Sequence, residues 1–422
     1  DIYTLSLHDA LPIYSIESRA LLPFFKKDLA PRVGIAWQAT AKTVVRTAYG
    51  IFNSGTWLIG INGTPAYNPP NTASYSIDTD QLIPRLYLRN GFASGVLETS
   101  VNQVNRDVMS YNFKRNGYLQ QWSFGIQNEF LPNMLVDATY TGTVGHKLVG
   151  SRDLSQPRPG PGAQQPRSPF PQYTGVSGFE SRFNSAYHGL AVKAERRFSA
   201  GLSFLVGYTW SHFIDDVNTI LDTTGAGIQD HQNLRANRGN SSYDVRQRFV
   251  SSYTYELPVG PGKWLLGNAG VLTQILGGWQ LNGIITVQSG RPFTPTSSVN
   301  TCNCGGASRP DRIADGALPR DQRSIDRWFD VGAFRVPTGY VFGNSGRTIL
   351  AGPRRSSWDS SVFKNFHVKE NLRIQFRFEA FNFLNHPSFA QPAANIGTTA
   401  AGTISGTVGS PRQLQFALKL LF

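Results

Sequence analysis

Apolar and polar residues alternate with period two in many short segments of this chain. In residues 371–384 one face carries Leu372, Ile374, Phe376, Phe378 and Ala380, and the other carries Arg373, Gln375, Arg377 and Glu379. Residues 413–422, which end the sequence, alternate in the same way and finish on Phe422. Such alternation predicts β-strands with one apolar and one polar face.

About eleven strands are predicted in this way, most of them in pairs. They cover residues 32–38, 42–52, 121–130, 134–141, 187–198, 202–212, 245–257, 277–288, 358–368, 371–384 and 413–422. Short turns and long connections alternate along the chain. A strand of about eleven residues, with a rise of about 3.3 Å per residue and a tilt of about 45°, spans roughly 26 Å, the height of the apolar band of a membrane barrel.

Two architectures fit this alternation: a large soluble β-sandwich and a β-barrel in a membrane. A sandwich needs no regular exchange of short and long connections, which in a barrel are periplasmic turns and extracellular loops. It also rarely ends on an apolar strand such as 413–422, because an unpaired hydrophobic edge favours aggregation. We therefore predict an all-β fold, an antiparallel transmembrane β-barrel of which roughly 11–12 strands are present, with long extracellular loops. Trp210, Tyr140 and Trp279 lie near the ends of apolar faces, where an interfacial girdle needs aromatic side chains.

Composition is compatible with a membrane β protein and excludes a membrane helix. The 422 residues are 40% hydrophobic and 16% charged, and no run of eighteen apolar residues occurs. The net charge of +13 raises nucleic acid as a partner, but the Arg and Lys residues are dispersed and no nucleic-acid-binding motif accompanies them. An arginine-rich polar wall, or loops that face anionic lipid headgroups, explains the charge better. Nucleic acid is therefore not predicted as a partner.

The two cysteines and the first residues of the sequence have local interpretations. A disulfide between Cys302 and Cys304 is strained at this spacing, but two thiolates alone make a poorer metal site, so we favour the disulfide. Residues 1–13 match neither a signal peptide nor a strand and resemble translated sequencing adapter. We expect a non-native leader at 1–13 and the C-terminal part of an outer-membrane β-barrel at 14–422.

Catalysis is the competing class of function, and the sequence offers little for it. A hydrolase needs a nucleophile with a base in reach, and neither a GxSxG nor an HExxH motif is present. The closest histidine–carboxylate group is His212 with Asp215 and Asp216, which we interpret as a solvated loop start rather than as a metal site. The chain is not predicted to be an enzyme, and no catalytic, metal-binding or cofactor-binding residue is assigned.

One long loop carries an acidic ladder with interleaved arginines. The acidic residues are Asp311, Asp315, Asp321, Asp326 and Asp330, and the basic ones are Arg309, Arg312, Arg320, Arg323 and Arg327. Because each carboxylate has a guanidinium near it in sequence, we favour a self-neutralising loop over a calcium site.

Binding is the remaining class of function, and two sets of residues bear on it. Aromatic residues in the long loops either stack on a sugar, peptide or chelate or fold the loops on themselves: Trp57, Tyr67, Tyr75, Tyr173, Phe179 and Trp328. Inward charges either hold a plug domain or form a hydrated wall that compensates itself: Arg46, Lys193, Glu195, Arg197, Arg373, Arg377 and Glu379. We favour the hydrated wall, and the ligand-binding residues stay unassigned.

Eight segments between about residue 30 and the end resemble one protein family. They are 118–130 (YLQQWSFGIQNEF), 201–212 (GLSFLVGYTWSH), 244–258 (DVRQRFVSSYTYELP), 277–292 (GGWQLNGIITVQSGRP), 328–334 (WFDVGAF), 342–347 (FGNSGR), 363–366 (FKNF) and 377–387 (RFEAFNFLNHP). They are similar to the TonB-dependent outer-membrane receptors of the Oar-like, acidobacterial type, which usually carry a carboxypeptidase-regulatory-like domain. The resemblance implies a barrel of about twenty-two strands plugged by an N-terminal domain.

The resemblance also implies a location, partners and a function. The cell outer membrane would hold the barrel among its lipids, and the barrel assembly machinery would recognise Phe422 as the terminal aromatic residue. The TonB complex would act through an N-terminal region that this sequence lacks, so we expect a C-terminal fragment. The implied function is uptake of an unidentified sugar, peptide or chelate. A non-transporting surface or adhesion protein and a passive porin are the alternatives.

Overall fold

The computed structural model describes residues 28–54, 105–109, 116–173, 175–217, 227–260, 262–266, 271–369 and 372–422. The leader expected at 1–13 lies outside these ranges, as do Trp57, Tyr67 and Tyr75. Within the ranges, no helix is both long and apolar enough to cross a membrane.

The described residues form many strands and little helix. The strands are β1 (Arg32–Thr40), β2 (Thr43–Ser54), β3 (Asn105–Met109), β4 (Gly117–Leu131), β5 (Met134–Asp153), β6 (Gly175–Ser199), β7 (Leu202–Asp215), β8 (Gly239–Asn240), β9 (Gln247–Glu256), β10 (Trp279–Gln288), β11 (Pro292–Phe293), β12 (Thr296–Ser297), β13 (Asp311–Arg312), β14 (Phe334–Arg335), β15 (Leu350–Ala351), β16 (Arg355–Lys369), β17 (Leu372–Phe381), β18 (Ser388–Phe389), β19 (Asn395–Ile396), β20 (Thr407–Val408) and β21 (Gln413–Leu421). The helical elements are α1 (Val271–Leu276) and 3-10 turns at Gln165–Arg167, Leu234–Asn237, Arg320–Gln322 and Val331–Ala333.

The long strands follow one another in a single sheet. Its order is β1-β2-β4-β5-β6-β7-β9-β10-β16-β17-β21, with each neighbour along this path antiparallel, while β3 and β8 pair with β6 and β7. Eight of the two-residue strands form four separate pairs within the long connections: β11–β15, β12–β19, β13–β14 and β18–β20. Strands β1 and β21 are the edges of the main sheet and do not pair with each other, so the described sheet is open.

The register brings the apolar faces of neighbouring strands to the same side. Residues directly opposite each other share a face, and Phe378 on β17 is opposite both Val362 on β16 and Phe416 on β21. The ring centroids of Phe378 and Phe416 are 5.0 Å apart. Leu418, two residues on, is 74% exposed. This side is therefore the one that meets lipid, and the opposite face is the inner one.

Tight turns lie at one end of the sheet and long connections at the other. The β6–β7 hairpin turns at Ala200 and Gly201, whose φ angles of 50° and 79° are those of a type I′ turn. The β9–β10 connection, Leu257 to Gly278, lies at the same end and contains α1. In membrane barrels, short turns mark the periplasmic end and long connections the extracellular end.

Strands β5 and β6 are longer than the sequence predicted. They have 20 and 25 residues, whereas alternation predicted only 134–141 and 187–198. The additional parts pair with each other as far as Asp153 opposite Ser177. Apolar residues alternate with polar ones only where one face meets apolar surroundings. The extension lacks that pattern, because it projects past the lipid-facing part of the sheet toward the long connections.

Candidate functional site

The polar faces of six neighbouring strands border one cavity of about 720 Å³. The inner-face residues at the cavity come from β6, β7, β9, β10, β16 and β17 and include Glu195, Ser203, Ser252, Thr254, Asn282, Asp359, Ser361 and Glu379. Side chains from six successive strands reach one cavity only when the sheet is curved. The inner face is therefore the concave, polar wall of a barrel segment.

The seven inward charges predicted from the sequence lie on β2, β6 and β17. The Nζ atom of Lys193 is 3.2 Å from Oε2 of Glu195, and these side chains are 44% and 39% exposed. Arg377 donates to Oε1 of Gln375 at 2.7 Å and lies over the ring of Phe363, 4.7 Å from its centroid. Ion pairs this exposed contribute little to stability, and their contacts fit a hydrated wall.

Three apolar side chains interrupt this polar wall. Leu205, Ile284 and Phe381 line the same cavity and are 43%, 52% and 42% exposed. Charged side chains of both signs, Glu195 and Arg197 among them, line the cavity beside these apolar contacts. Sequence reasoning did not single them out, although each breaks the alternation of its strand, and that break is the signal that was available.

The long connections contact one another, and two of them share a hydrophobic core. We call the described parts of the connections at 154–173, 227–246, 289–354 and 382–412 the loop layer. Its core contains Phe293, Phe329, Ala333, Phe334, Leu350 and Ile396, all of them buried. The ring centroids of Phe293 and Phe329 are 5.7 Å apart, and those of Phe329 and Phe334 are 6.0 Å apart. The connections 289–354 and 382–412 also join through the backbone, because Trp328 donates its N–H to Gly402 at 2.8 Å.

Two buried arginines hold this layer together, and one of them, Arg347, connects it to the end of β7. The guanidinium of Arg347 donates to the backbone carbonyls of Asn237 at 2.7 Å and Asp215 at 2.6 Å, and it forms an ion pair with the carboxylate of Asp215. Arg309 is 2% exposed and donates to the side chain of Asn237 and to the carbonyl of Ala236 at 3.2 Å. Burial, with the charge of Arg347 adding to it, lowers the pKa of Arg309 to about 10.

A half-buried histidine and two buried glutamines join further parts of the loop layer. Nδ1 of His231 accepts from the N–H of Asp153 at 3.1 Å. Burial lowers the pKa of His231, which keeps the ring neutral for this acceptor role. Gln156 donates to the carbonyl of Gln229 at 2.8 Å, and Gln229 donates to Gly343 at 2.9 Å. Three connections are thereby joined by side chain–backbone hydrogen bonds.

Cys302 and Cys304 form a disulfide, as the sequence predicted. Asn303 between them has a φ of 49°, and its Nδ2 donates to the carbonyls of Gly160 at 3.0 Å and Gly162 at 2.8 Å. Arg167 donates back to the Asn303 carbonyl at 2.6 Å. The short loop that the disulfide closes therefore places Asn303 against the proline-rich connection 154–173.

The structure separates the one histidine–carboxylate group noted in the sequence. His212 faces the lipid side opposite His188 and bonds to Oδ1 of Asn240 at 3.0 Å. Asp215 pairs with Arg347, and Asp216 accepts from Arg238 at 3.1 Å. Across the described ranges, no group of three His, Cys, Asp or Glu residues is placed to hold a metal ion.

The acidic ladder is partly neutralised within its own loop. Arg312 pairs with Asp315, Arg327 lies 3.4 Å from Asp330, and Arg335 lies 3.8 Å from Asp311. Arg309 does not join these pairs, because it is buried in the loop layer. The self-neutralising interpretation fits these contacts.

Of the loop aromatics that the structure describes, Trp328 serves the fold. Its Nε1 donates to the carbonyl of Ala351 at 2.9 Å, and Arg323 lies over its ring at 5.6 Å. It packs against the core of the loop layer. Tyr173 is half-buried in the 154–173 connection, and Phe179 lies within β6 rather than in a loop.

Comparison with known proteins agrees with this architecture. The family model described as "Outer membrane beta barrel domain" matches residues 10–415. The chain therefore belongs to the outer-membrane β-barrel domain family and is a protein of the outer membrane. That family consists of barrels and not of enzymes. The comparison with curated proteins found no match.

Solved outer-membrane proteins are similar over nearly the whole chain, at low identity. The outer membrane transporter YddB from Escherichia coli shares 10% identity with a TM-score of 0.48, covering 93% of this chain and 40% of that one. The FrpB iron transporter from Neisseria meningitidis (F3-3 variant) shares 12% identity with a TM-score of 0.42, covering 93% and 39%. BauA, the ferric preacinetobactin receptor from Acinetobacter baumannii, shares 11% identity with a TM-score of 0.43, covering 93% and 36%. The chain thus spans about 40% or less of the length of these proteins.

Proposed function

We propose that this chain forms part of the barrel wall and the extracellular loop layer of a TonB-dependent outer-membrane receptor of the Oar-like type. In the whole receptor, the loops would capture a scarce solute, and a plug displaced by the TonB complex would admit it. The transported solute would be a sugar, a peptide or a chelate. The eight family-like segments carry the assignment to this type.

The observation that best supports capture is the loop layer itself. Its four connections share hydrogen bonds, and a core of six buried residues packs two of them, 289–354 and 382–412, against each other. A fixed layer above a polar wall presents a preorganised surface, and preorganisation lowers the entropic cost of binding.

The inner wall suits a partner that is itself polar. Glu195, Glu379 and Arg197 bring charges of both signs to the cavity, with Leu205 and Phe381 beside them. A hydrated wall of this kind would line the pathway once a plug domain moved.

Energised uptake distinguishes the proposal from its alternatives. The full-length gene is expressed in a host that lacks its own outer-membrane receptors for the solutes tested. The accumulation of labelled oligosaccharides, peptides and iron chelates is then measured with and without a protonophore. Accumulation that the protonophore abolishes supports TonB-dependent uptake. Entry that is indifferent to the protonophore indicates a porin, and binding without entry indicates a surface protein.

A further inference from the structure

The β9–β10 connection differs from the tight turns beside it. We call its described residues within Leu257 to Gly278 the foot. In the sequence 257–278, apolar residues and glycines predominate, and the one charged residue is Lys263. Trp264 is 86% exposed, and Ile275 and Leu276 are 57% and 47% exposed. Large apolar side chains this exposed mark a contact surface rather than a hydrated turn.

The foot is firmly held despite this exposure. Leu265 donates its N–H to Pro258 at 2.9 Å, and Gly260 donates to Leu265 at 3.0 Å. Gly260 has a φ of 126°, and a Cβ at Gly277 would meet the Gly260 backbone, so both positions require glycine. The exposed surface therefore belongs to a built element.

Lys364 fixes the foot to the lipid-facing side of the sheet. It lies on β16 directly opposite Trp279, on the face that meets lipid. Its Nζ donates to the carbonyls of Ile275, at 2.9 Å, and Gly277 at the end of α1, and it lies 5.1 Å from the Trp279 ring centroid. Trp279 in turn donates its Nε1–H to Ile275 at 3.2 Å. The polar atoms of both side chains thus point to the foot backbone and away from the apolar surface.

A groove of about 610 Å³ lies between the foot and the strands. It is lined by apolar residues alone, among them Leu257, Leu265, Leu276, Trp279, Leu281 and Val362. Leu281 is opposite both Tyr255 and Val362, and Val362 is opposite Phe378, so the groove continues the lipid-facing surface. It lies at the tight-turn end, where that surface meets the periplasmic leaflet.

We propose that this groove binds one acyl chain of a glycerophospholipid of the periplasmic leaflet, with the foot inserted in the membrane interface. An unbranched hydrocarbon chain fits an all-apolar groove that is continuous with the bilayer. Lys263 forms an ion pair with Glu256 at 2.8 Å, and because both side chains are 39% exposed, its remaining N–H groups can also meet a headgroup phosphate. Trp264 belongs at the same level, where indole rings favour the interface. The inference rests on the outer-membrane location and is independent of the proposed transport.

Lipid retention tests the groove. The full-length protein is purified in detergent after expression in an outer membrane, and bound lipids are counted by native mass spectrometry. The wild type should retain one phospholipid per chain. Leu276→Trp, which fills the groove, should reduce retention at least fivefold, whereas Leu418→Trp, the same change on the lipid-facing side of β21, should leave it intact. Equal retention in both variants, no retained phospholipid in the wild type, or retained lipopolysaccharide instead would overturn the proposal.

Fluorescence quenching tests the foot without any groove variant. Wild-type and Trp264→Phe proteins are reconstituted in nanodiscs of phosphatidylethanolamine and phosphatidylglycerol with brominated acyl chains, which quench indole fluorescence on contact. The emission of Trp264 is the difference between the wild-type and Trp264→Phe proteins. This emission should be severalfold weaker in brominated than in unbrominated nanodiscs. A Trp264 contribution equal in the two kinds of nanodisc would place the foot in water and refute the inference even if Leu276→Trp failed to fold.

Discussion

Arg347 and Asp215 lie 132 residues apart in the sequence and form an ion pair in which their side chains are 0% and 5% exposed. One belongs to the connection between β10 and β16, and the other is the last residue of β7. A buried charge is tolerated only with a partner and hydrogen bonds. This pair therefore fixes the loop layer to the barrel wall.

Removal of one member of this pair should open the loop layer. Arg347→Met leaves the Asp215 carboxylate buried without its cation, which costs roughly 3–5 kcal/mol. Cleavage of the loops by an external protease on intact cells should accelerate more than about a hundredfold, since each 1.4 kcal/mol is a factor of ten. Arg335→Met is the control, because Arg335 is 68% exposed and 3.8 Å from its carboxylate. Similar cleavage rates in both variants would contradict the anchoring role.

Loss of the disulfide should release the 154–173 connection. Without the ring, Asn303 is no longer held at its positive φ, and its hydrogen bonds to Gly160 and Gly162 weaken. Each net hydrogen bond contributes about 1 kcal/mol, so trypsin cleavage after Arg167 should rise about tenfold or more in Cys302→Ser/Cys304→Ser. Asn303→Ala, which keeps the disulfide, should raise cleavage comparably. An unchanged rate in both variants would mean that other contacts hold the connection.

Acidification should loosen the contact between β5 and the loop at His231. Burial lowers the pKa of His231, with Arg152 acting in the same direction and Asp153 and Asp230 opposing it. Well above pH 6.5, about the ordinary pKa of histidine, the lowered pKa does not affect stability. Below pH 6.5 stability falls, because the unfolded form binds the proton more readily than the folded form does. Amide hydrogen exchange at residues 229–233, corrected for intrinsic rates, should therefore speed up from pH 7.5 to 5.5. His231→Asn should abolish that pH dependence, and its persistence would assign it to another group.

Gly142 should resist substitution, because it lies under an aromatic ring. A Cβ at this position would overlap the indole of Trp122, which lies opposite it on β4. Overpacking of this kind costs about 1–3 kcal/mol. When samples are heated in steps and run on a gel, the band of folded protein should therefore disappear at a lower temperature for Gly142→Ala than for the wild type. Gly207→Ala is the matched control, since its Cβ would have no atom within 4 Å. An equal shift in the two variants would show that the ring is not the cause.

Phe422 should act in assembly and not in the stability of the folded barrel. It is 97% exposed, so its ring makes almost no packing contact in the described fold. Phe422→Ala should therefore leave the melting midpoint of the folded protein unchanged. If the terminal aromatic residue is the assembly signal, the same variant should reduce severalfold the folded, heat-modifiable fraction of newly made protein. Phe130→Ala, at a 67% exposed strand end, should alter neither quantity. A shifted midpoint in Phe422→Ala would point to a structural role.

The alternation of apolar residues located the long strands but not their full extent. Each lipid-facing face repeats every second residue, as Phe376 and Phe378 do on β17, and this local pattern is visible in one sequence. The upper parts of β5 and β6 carry no such pattern, because neither face there meets lipid. Their pairing continues that of the alternating segments below them, where Met134 lies opposite Arg196.

The loop layer was not predictable from the sequence for a different reason. Its contacts join residues far apart, such as Gln229 to Gly343 and Asn303 to Gly160, and nothing local marks either partner. Arg309 looked like one more member of a self-neutralising ladder, and only the packing shows it buried away from the ladder. The foot was predicted as a plain connector, because a helix of six residues gives too short a pattern to detect.

The sequence separation of the loop contacts has a consequence for the order of folding. Asn303 and Gly162 are 141 residues apart, and Arg347 and Asp215 are 132 apart. The first contact therefore needs β5 through β10 side by side, and the second needs β7 through β10. Contacts of such long range form slowly, because the intervening chain must first be ordered. The extracellular surface should therefore mature last, after the strands have entered the membrane. In a variant that delays this step, the strands should be fully inserted in the membrane while an external protease still cleaves the loops.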